Sequence, residues 1–527
     1  MNKKKLSVVL LLAIVPLAVG AIMLQGQTSV EGPRLFAQVL RMVEQYSVDS
    51  LSNAEIYEKA ARGLVKNLDD PYADLYSPDQ LARFQRNTLG NNYGGIGMQI
   101  ESQDGLITVT RVFPGTPGEM GGVQAGDRIM IVDTTAVTGM ALDEVSGRLT
   151  GPAGTKVNVT FARAGVEEPI RSTFTRAIIR VPAVPYVLML DGGVGYLPLQ
   201  RFNESAAEQV EEGIRSLQAA GATSFVFDVR GNPGGSLEQS LEIVNLFLTP
   251  GSEIASVRHR GKQPEVFRAN QPSIIDSARV VVLLDQYSAS ASEIVAGALQ
   301  DQDRALVVGQ SSFGKGLVQT LYPLEGGWAI KLTTGKWYTP SGRSIQGEHK
   351  QLADGRFVEY APDSAETDSA RSARPRFRSA GGRVVYGGGG VTPDVIINPD
   401  TLTTPEQEFR RALGAQFGEF YNVVYAFSRD RKGQVRPDFQ VTPAWRDQLY
   451  GQLTKAGVEV DRAVYDSAEP LVNRFIEQRL AGLAFGDSSA FRRNIADDRQ
   501  LLTALDYLKR GRTQRELLAL AETAKPE

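Results

Sequence analysis

Apolar and polar positions follow three patterns along the chain. Between residues 33 and 85, apolar residues recur at intervals of three and four, as in Phe36, Val39 and Val43, which predicts a small helical unit. From about residue 92 to 165, short β-rich runs separated by glycine-containing turns predict a compact module. Beyond residue 400 the pattern is again mainly helical.

Between the module and the C-terminal helices, apolar strands alternate with helical segments, which is typical of parallel βαβ units. One strand at 224–229 leads through 230-RGNPGG-235 into a helix. A second at 279–285 leads through a turn into a helix at 291–301 and a further strand at 305–309. Because the turns after parallel strands open at the same edge of a sheet, we expect these loops to lie side by side.

Two further segments have their own signatures. Residues 348–385 are polar and rich in arginine and glycine, and we expect a long insertion that is partly disordered. In the C-terminal region, residues 401–527, Thr442 followed by Pro443 is typical of the first turn of a helix. A helical extension is therefore predicted to follow the alternating region.

The first 24 residues resemble a targeting segment. Lys3, Lys4 and Lys5 precede an apolar run from Leu6 to about Leu24, as in an export signal peptide or a single-span membrane anchor. Small residues at 18–20 offer a cleavage site, so both possibilities stay open. We expect an exported protein that acts in the periplasm or on the extracytoplasmic face of the cell membrane.

The composition argues against several kinds of chemistry. A formal net charge of -3 on 527 residues provides no basic field for nucleic acid. The absence of cysteine excludes disulfides, thiolate metal sites and cysteine nucleophiles. The only two histidines, His259 and His349, lie in polar stretches, which disfavours a Ser-His-Asp triad and a histidine-rich metal site. We predict no metal and no cofactor.

The stretch from Gly309 to Lys315 has the G-x-x-x-x-G-K spacing of a phosphate-binding P-loop. However, Gly316 stands where a serine or threonine would bind Mg²⁺, and 317-LVQTLYPLEGG-327 is typical of a strand rather than of a helix. A nucleotide site is therefore not expected, and Lys315 needs another explanation.

Serines and Lys315 follow neighbouring strands at the same predicted sheet edge, where adjacent strands are about 4.8 Å apart. With histidine disfavoured, a desolvated lysine is the leading candidate for the base that activates a serine. For its amine to be neutral, the pKa of Lys315 would have to fall from about 10.4 by about 3 units. Burial would then have to disfavour the charged form by roughly 4 kcal/mol. The serines are Ser288, Ser290 and Ser292.

The same edge offers groups that could assist such a serine. The amides of Gly234, Gly235 and Ala291, at predicted helix N-termini, could stabilise an oxyanion. Gln319, four residues after Lys315, could hold the amine in place. A Ser/Ala run is also typical of a helix start with close packing, so each motif alone is weak evidence and their combination carries the prediction.

Several strings together closely resemble the carboxyl-terminal processing peptidases, which are serine proteases with a Ser-Lys dyad. The resemblance covers about residues 33–400 and implies a crotonase-like α/β core. Its strings are 70-DPYADLYSP-78, 228-DVRGNPGGSL-237, 288-SASASEIVAGALQD-301, 313-FGKGLVQ-319 and 339-TPSGRSIQG-347.

The resemblance implies individual roles at the sheet edge. Ser290 would be the nucleophile, Lys315 the general base and Gln319 the residue that orients the lysine. The oxyanion hole would use the amides considered above. Asp301 matches an acidic auxiliary position of some members, although a charge that simply ends a helix would look the same.

The module at 92–165 resembles a PDZ domain. Its carboxylate-binding loop would capture the free C-terminus of a peptide, while the strand that follows pairs with the peptide backbone. Thr150 stands where family members often have an arginine in an R-G-x-x-G-T motif, which puts arginine-mediated coupling to the protease core in doubt. The loop residues are Gly95, Ile96, Gly97 and Met98.

We therefore predict a multidomain α+β and α/β protein. Its function would be hydrolysis of peptide bonds near the C-termini of protein substrates, which are its expected partners. An activating protein, a homo-oligomer and membrane association through residues 6–24 stay open, and the alternatives are a catalytically silent PDZ scaffold or an acyl-CoA enzyme. The predicted regions are 1–24 (signal or anchor), 25–85 (helical), 86–168 (PDZ), 169–400 (protease core) and 401–527 (helical extension).

Overall fold

A computed structural model gives the structure of the chain. The predicted export segment, residues 1–24, and residues 348–373 of the insertion lie outside the residues that it describes. No helix formed by the described residues is long and apolar enough to cross a membrane. The described residues are 31–88, 92–103, 106–113, 115–124, 126–163, 166, 168–347, 374–398 and 402–523.

The chain folds into two compact units, of which the smaller comprises the residues up to Pro78 together with Thr320–Thr333. It contains α1, at residues 31–46, and α2 (Asn53–Lys66). The N-terminus of α2 is closed by Ser52, whose backbone amide donates to the Glu55 carboxylate at 2.8 Å.

A short strand, β1 (Asp74–Tyr76), follows these helices and pairs antiparallel with Ala329–Lys331. The sequence analysis predicted only helices here. The segment is held by Asp70, whose carboxylate accepts hydrogen bonds from the amide and hydroxyl of Thr333, 263 positions away. Such a distant partner leaves no local signal in the sequence.

The larger unit comprises Asp79–Gln319 and the chain from Thr334 onward. Its first part, the PDZ-like module, is an antiparallel sheet in the order Met98–Gln103, Leu106–Val112, Arg128–Val132, Lys156–Ala162 and Ile170–Thr175. These strands are β3, β4, β5, β7 and β8. The other elements are α3 (Pro78–Thr88), β2 (Asn92–Gly95), α4 (Pro117–Met120), β6 (Thr135–Ala136), α5 (Leu142–Leu149) and β9 (Ala177–Arg180).

Side chains along β7 alternate between the two faces of the sheet. Val157, Val159 and Phe161 therefore point into the module core, where they pack in one cluster with Val145 of α5. The glycine-containing turns join these strands as the sequence pattern predicts. The sheet continues to Thr175, and β2 pairs with β9.

A six-stranded sheet follows, in the order β10 (Leu188–Leu190), β11 (Val194–Pro198), β12 (Ser224–Asp228), β15 (Arg279–Leu284), β16 (Leu306–Gly309) and β21 (Val395–Ile396). All pairings are parallel except that of β10 with β11. The helices α6 (Ala206–Ala219), α7 (Leu237–Asn245) and α8 (Ala291–Asp301) connect or flank these strands. The predicted βαβ connection from β15 through α8 to β16 is confirmed.

Both faces of this sheet are covered, as the continuous apolar runs of its central strands require. Val280 and Val282 of β15 join the cluster formed with α6, α7 and α8. Val281 and Leu283 point the other way and pack against Leu501 and its neighbours in the C-terminal helices. The C-terminal extension therefore forms one wall of the sheet core.

The remaining strands form separate pairings. Within the larger unit, β13 (Glu253–His259) pairs with β14 (Glu265–Arg268) and with Gly335–Tyr338 of the strand Ala329–Tyr338, which is β18. The strand β17 (Leu317–Pro323) pairs with β18. The described part of the insertion is an ordered hairpin of β19 (Arg376–Arg378) and β20 (Val384–Tyr386).

The C-terminal extension is helical, as predicted. Thr442 caps one helix by accepting a hydrogen bond from the Trp445 amide, and Pro443 occupies its first turn, which confirms that detail. The extension also contacts the PDZ-like module, where Glu419 accepts from Arg128 at 2.6 Å. Its helices are Thr404–Leu413, Phe417–Arg429, Pro443–Lys455, Arg462–Ser467, Glu469–Phe485, Asp487–Asn494, Arg499–Arg510 and Gln514–Thr523.

Candidate active site

Ser290 occupies an unusual backbone conformation at the start of α8, with φ 55° and ψ -111°. Residues with a side chain rarely adopt positive φ, and such conformations cost about 1–3 kcal/mol. The sharp turn lies between a buried strand and a buried helix. Backbone strain of this kind clusters at functional sites, so the observation singles out Ser290 within the loop.

The other two serines of the loop have structural partners. The Ser288 hydroxyl donates to the Val229 carbonyl at 2.8 Å, and the Ser292 hydroxyl donates to the Asn232 carbonyl at 2.9 Å. Both side chains are fully buried, whereas Ser290 is half-buried. Of the three serines, Ser290 is therefore the one that a ligand can reach.

Glu293, three residues after Ser290, is fully buried and accepts four hydrogen bonds. Its Oε2 accepts from the backbone amides of Ser290 at 2.7 Å and Lys315 at 2.9 Å. Its Oε1 accepts from the Ser312 hydroxyl at 2.6 Å and the Gly314 amide at 2.7 Å. Burial raises the pKa of Glu293 to about 7, although all four donors act to lower it.

The sequence analysis missed Glu293. A signal was present, because Ser290 and Glu293 have the S-x-x-E spacing of a helix capping box. That spacing predicts the hydrogen bond from the Ser290 amide, but not the three donors from the next loop.

Lys315 is half-buried and lies two residues before the start of β17. The glycines on either side allow a close approach of other backbone segments. A Cβ on Gly314, whose φ is 89°, would lie 3.0 Å from the Gly390 nitrogen, and one on Gly316 would lie 2.9 Å from the Gln346 nitrogen. Trp337, almost fully buried, donates through Nε1 to the Lys315 carbonyl at 3.1 Å. The lysine backbone is thus fixed, and a strand follows it as predicted.

Gln319 lies on β17, four residues after Lys315, and is half-buried. Its side-chain nitrogen is buried and has no hydrogen-bond partner within the described part of the chain. A buried amide donor without an acceptor is costly, so this nitrogen is available to a group that enters the site.

The turn after β12 meets the start of α8. A Cβ on Gly234 would lie 3.0 Å from both the Ala291 nitrogen and the Ser290 Cβ, so only a glycine fits there. The Gly234 amide itself donates to the Asn232 side-chain oxygen at 2.9 Å, which already uses this donor. The amides of Gly235 and Ala291 have no acceptor among the residues that the structure describes.

Asp301 lies at the opposite end of α8 from Ser290. They are eleven positions apart along the helix, which corresponds to about 16 Å. Asp301 forms an ion pair with Arg343, in which Oδ1 of the aspartate lies 2.7 Å from Nη2 of the arginine, and both side chains are fully buried. The Asp301 carboxylate also accepts from the Ser341 amide at 3.0 Å. The structure thus places Asp301 in a buried ion pair away from the other predicted site residues.

The predicted carboxylate-binding loop, Gly95–Met98, joins β2 to β3. Gly97 has φ 82°, and a Cβ there would lie 2.2 Å from the Thr116 Cβ. The Gly97 carbonyl accepts from the Phe113 amide at 2.9 Å, which fixes the turn. Ile96 and Met98 are buried in the module core.

Near Thr150, the loop after α5 is held by an arginine from elsewhere in the module. Arg176 donates to the carbonyls of Leu149 at 2.9 Å and Arg148 at 2.8 Å. The sequence analysis did not identify Arg176 as a contact of this loop.

Comparison with known proteins gives two matching families along the chain. Residues 87–162 match the PDZ domain, and residues 193–352 match peptidase family S41. These matches define the class of the protein as a serine-type peptidase of family S41 that carries a PDZ domain.

Several relatives share more of the chain. A carboxy-terminal-processing protease of Bartonella bacilliformis is 38% identical over 318 residues, which cover 59% of this chain and 72% of the relative. The carboxy-terminal processing protease CtpA of Bacillus subtilis is 33% identical and covers 65% and 72% respectively. A solved photosystem II D1 C-terminal processing protease is 30% identical over 58% of this chain and 83% of that chain, with a TM-score of 0.39. The chain belongs to the family of carboxy-terminal processing proteases.

Proposed function

We propose that this protein is an exported endopeptidase that cleaves polypeptides near their C-termini with a Ser-Lys dyad. The observation that carries the proposal is the pair of hydrogen bonds to one Glu293 oxygen. Because the Ser290 and Lys315 amides both donate to Oε2, their nitrogens lie less than about 6 Å apart. A strained, accessible serine and a lysine thus have their backbones fixed by one buried carboxylate.

The reaction would proceed in two halves. The neutral Lys315 amine accepts the proton of the Ser290 hydroxyl as its oxygen attacks the substrate carbonyl carbon. The tetrahedral intermediate collapses to an acyl-enzyme as the lysine returns the proton to the leaving amine. A water molecule, deprotonated by the same lysine, then hydrolyses the ester and regenerates the serine.

Two groups support these steps. The amides of Gly235 and Ala291 would donate to the developing oxyanion, and their lack of acceptors among the described residues supports that role. Gln319 would accept or donate a hydrogen bond that orients the Lys315 amine. Its partnerless buried nitrogen supports a polar function for this side chain.

The PDZ domain would select the substrate end. In the proposed arrangement, the loop formed by Gly95, Ile96, Gly97 and Met98 receives the free carboxylate, and β3 pairs with the last residues of the peptide. A substrate with a free C-terminus should therefore be cleaved faster than the same peptide amidated at its C-terminus. Equal cleavage rates for the two peptides would contradict capture of the C-terminus by the PDZ domain.

Export is proposed from residues 1–24 alone. A fusion of residues 1–30 to a reporter enzyme that is active only outside the cytoplasm tests it. We expect reporter activity with the native segment and its loss when Lys3, Lys4 and Lys5 and the apolar run are replaced by polar residues.

A serine-reactive fluorophosphonate probe tests the nucleophile. We expect the probe to attach to Ser290 and to be absent from the Ser290→Ala variant. Ser288→Ala and Ser292→Ala are the matched controls, and their folded fractions should still be labelled at Ser290. If the purified protein takes no label and cleaves no peptide, the catalytically silent scaffold becomes the better explanation.

A further inference from the structure

The C-terminal extension reaches the loop that precedes the proposed oxyanion turn. Arg230 lies two residues after the end of β12 and immediately before Gly231, the first residue of the turn that ends at Gly235. Its guanidinium donates to both carboxylate oxygens of Asp498, at 2.9 and 2.8 Å. The two residues are 268 positions apart, and Asp498 lies well beyond residue 352, where the match to peptidase family S41 ends.

Arg230 is held on its other side by the sheet. Its guanidinium also donates to Asp228 at 2.6 Å, and Asp228 in turn accepts from the Tyr196 hydroxyl at 2.7 Å. The side chain of Arg230 is only 20% exposed, and those of Asp228 and Asp498 are 7% and 17% exposed. Hydrogen bonds between charged groups are strong when water is largely excluded, so the guanidinium has little freedom to move.

The position of Asp498 is itself fixed by packing. It caps the helix Arg499–Arg510 and accepts from the Leu501 amide at 3.0 Å. Leu501, Ala504 and Leu508 of this helix are buried against the sheet that carries β12 and β15. The carboxylate that receives Arg230 therefore comes from an element that packs on the same sheet as the active-site loops.

The turn that Arg230 begins is conformationally demanding. Gly231, Gly234 and Gly235 all have positive φ, at 66°, 98° and 150°. Glycines have the most conformational freedom to lose on folding, so a glycine-rich turn needs anchors at its ends. Arg230 supplies the anchor at the start, and Asn232, whose side chain donates to the Leu199 carbonyl at 2.8 Å, supplies another within it.

We propose that Asp498 is a positioning residue for catalysis, which acts through Arg230 to hold the Gly231–Gly235 turn in its oxyanion-binding geometry. The C-terminal extension is then part of the catalytic apparatus rather than an appendage. This inference rests on the proposed function, because it assigns the turn a role in stabilising the transition state. Neither residue touches the reacting atoms.

The test compares Asp498→Asn with Asp506→Asn. Asparagine caps a helix about as well as aspartate, so the first variant keeps the cap while it removes the charge that faces Arg230. Asp506 lies on the same helix in an exposed pair with Arg510, which makes it the matched control. We expect Asp498→Asn to lower kcat about 10-fold or more with KM changed less than about 2-fold, and the control to match the wild type.

Two further readouts separate positioning from general stability. Asp498→Asn removes one of the two carboxylates that face the largely buried Arg230, so its thermal unfolding midpoint should fall below that of Asp506→Asn. The kcat values are therefore compared per folded molecule, at a temperature well below both midpoints. An Arg230→Gln variant should lose at least as much kcat, and combining it with Asp498→Asn should cause little further loss, because the two residues act in series. An unchanged kcat in Asp498→Asn, additive effects of the two substitutions, or an equal loss in Asp506→Asn would each overturn the proposal.

Failure of this inference is distinguishable from failure of the proposed function. Ser290→Ala is assayed in the same series with the same peptide. If Ser290→Ala is inactive while Asp498→Asn has the wild-type kcat, only the positioning role is lost. If Ser290→Ala retains full activity, the nucleophile assignment and the inference built on it both fail.

Discussion

Replacing Glu293 with glutamine perturbs the proposed site most selectively. The side chain keeps its size, but its amide has one acceptor oxygen in place of two. The four donors that Glu293 now accepts cannot all be satisfied, and at least one backbone amide among Ser290, Gly314 and Lys315 loses its acceptor. A buried donor without an acceptor costs about 1–3 kcal/mol.

That cost falls on the loops that carry the nucleophile and the base. Because the unsatisfied amide displaces the loop that carries it, the distance between nucleophile and base changes, and kcat should fall roughly 10- to 100-fold at constant KM. The control is Glu238→Gln, in which an exposed carboxylate in the first turn of α7 is changed in the same way. The measurement is steady-state cleavage of a peptide with a free C-terminus.

The same carboxylate also makes the free energy of unfolding depend on pH. The folded-state pKa of Glu293 is raised from 4.5 to about 7 by burial. The unfolded chain therefore releases this proton first as pH rises from about 4.5 to about 7, and the free energy of unfolding falls over that range by up to about 3 kcal/mol. Glutamine does not titrate, so this contribution should be missing from the variant.

We therefore expect the Glu293→Gln variant to be catalytically weaker at pH 8 without a large loss of stability. Chemical denaturation at pH 5 and pH 8 measures the difference. Wild-type kcat together with an unchanged pH dependence of unfolding would refute the reasoning about Glu293.

Three further predictions address the turn, the far end of α8 and the extension. Gly235→Ala should lose nearly all cleavage, since its Cβ would lie 2.3 Å from the Phe202 carbonyl oxygen; substantial activity would show that the turn tolerates a side chain. Asp301→Asn should lower the free energy of unfolding by about 3–5 kcal/mol through loss of its buried pair with Arg343, while kcat per folded molecule stays unchanged; a selective fall in kcat would instead favour an auxiliary catalytic role. Thr442→Ala should lower the free energy of unfolding by about 1 kcal/mol and leave the cleavage rate unchanged. Thermal unfolding measures the first effect, and an unaltered unfolding midpoint would contradict the capping role.

The sheet and its order of loops could be predicted because the relevant signals are local. The apolar runs at β12, β15 and β16 and the helical segment between the last two are contiguous in sequence. The rule that parallel strands open their loops at one edge then places the Ser290 and Lys315 loops as neighbours. The hydrogen bond from the Phe313 amide to the Ser288 carbonyl, at 3.0 Å, connects those two loops directly.

The contacts that join distant parts of the chain could not be predicted in the same way. Arg230 and Asp498 are ordinary charged residues in sequence, and nothing local indicates that a helix cap so far away completes the ion pair. The pairing of Asp301 with Arg343 is similar, since an aspartate at a helix end is usually solvated. The strand at Asp74–Tyr76 forms through partners near residue 330, and its three residues are too few to give a periodic signal.

Within the active site, the sequence identified the residue types but not their anchoring. The residue pattern alone left three candidate serines, of which the family resemblance favoured Ser290, and the structure adds that Ser288 and Ser292 donate to backbone carbonyls. The Gly234 amide was expected to face the oxyanion, yet it donates to the Asn232 side chain. Such assignments depend on side-chain geometry, which a hydrophobic pattern does not determine.

The central claim is that Ser290 and Lys315 carry out peptide cleavage. The most direct measurement is the rate of product formation by purified Ser290→Ala and Lys315→Ala proteins, followed by mass spectrometry on one substrate with a free C-terminus. Lys156→Ala, at an exposed lysine of β7, is the control for loss of a positive charge. We expect both site variants to lose at least about 10³-fold in rate with unchanged unfolding midpoints, and the control to retain full activity. Substantial cleavage by either folded site variant would contradict the account.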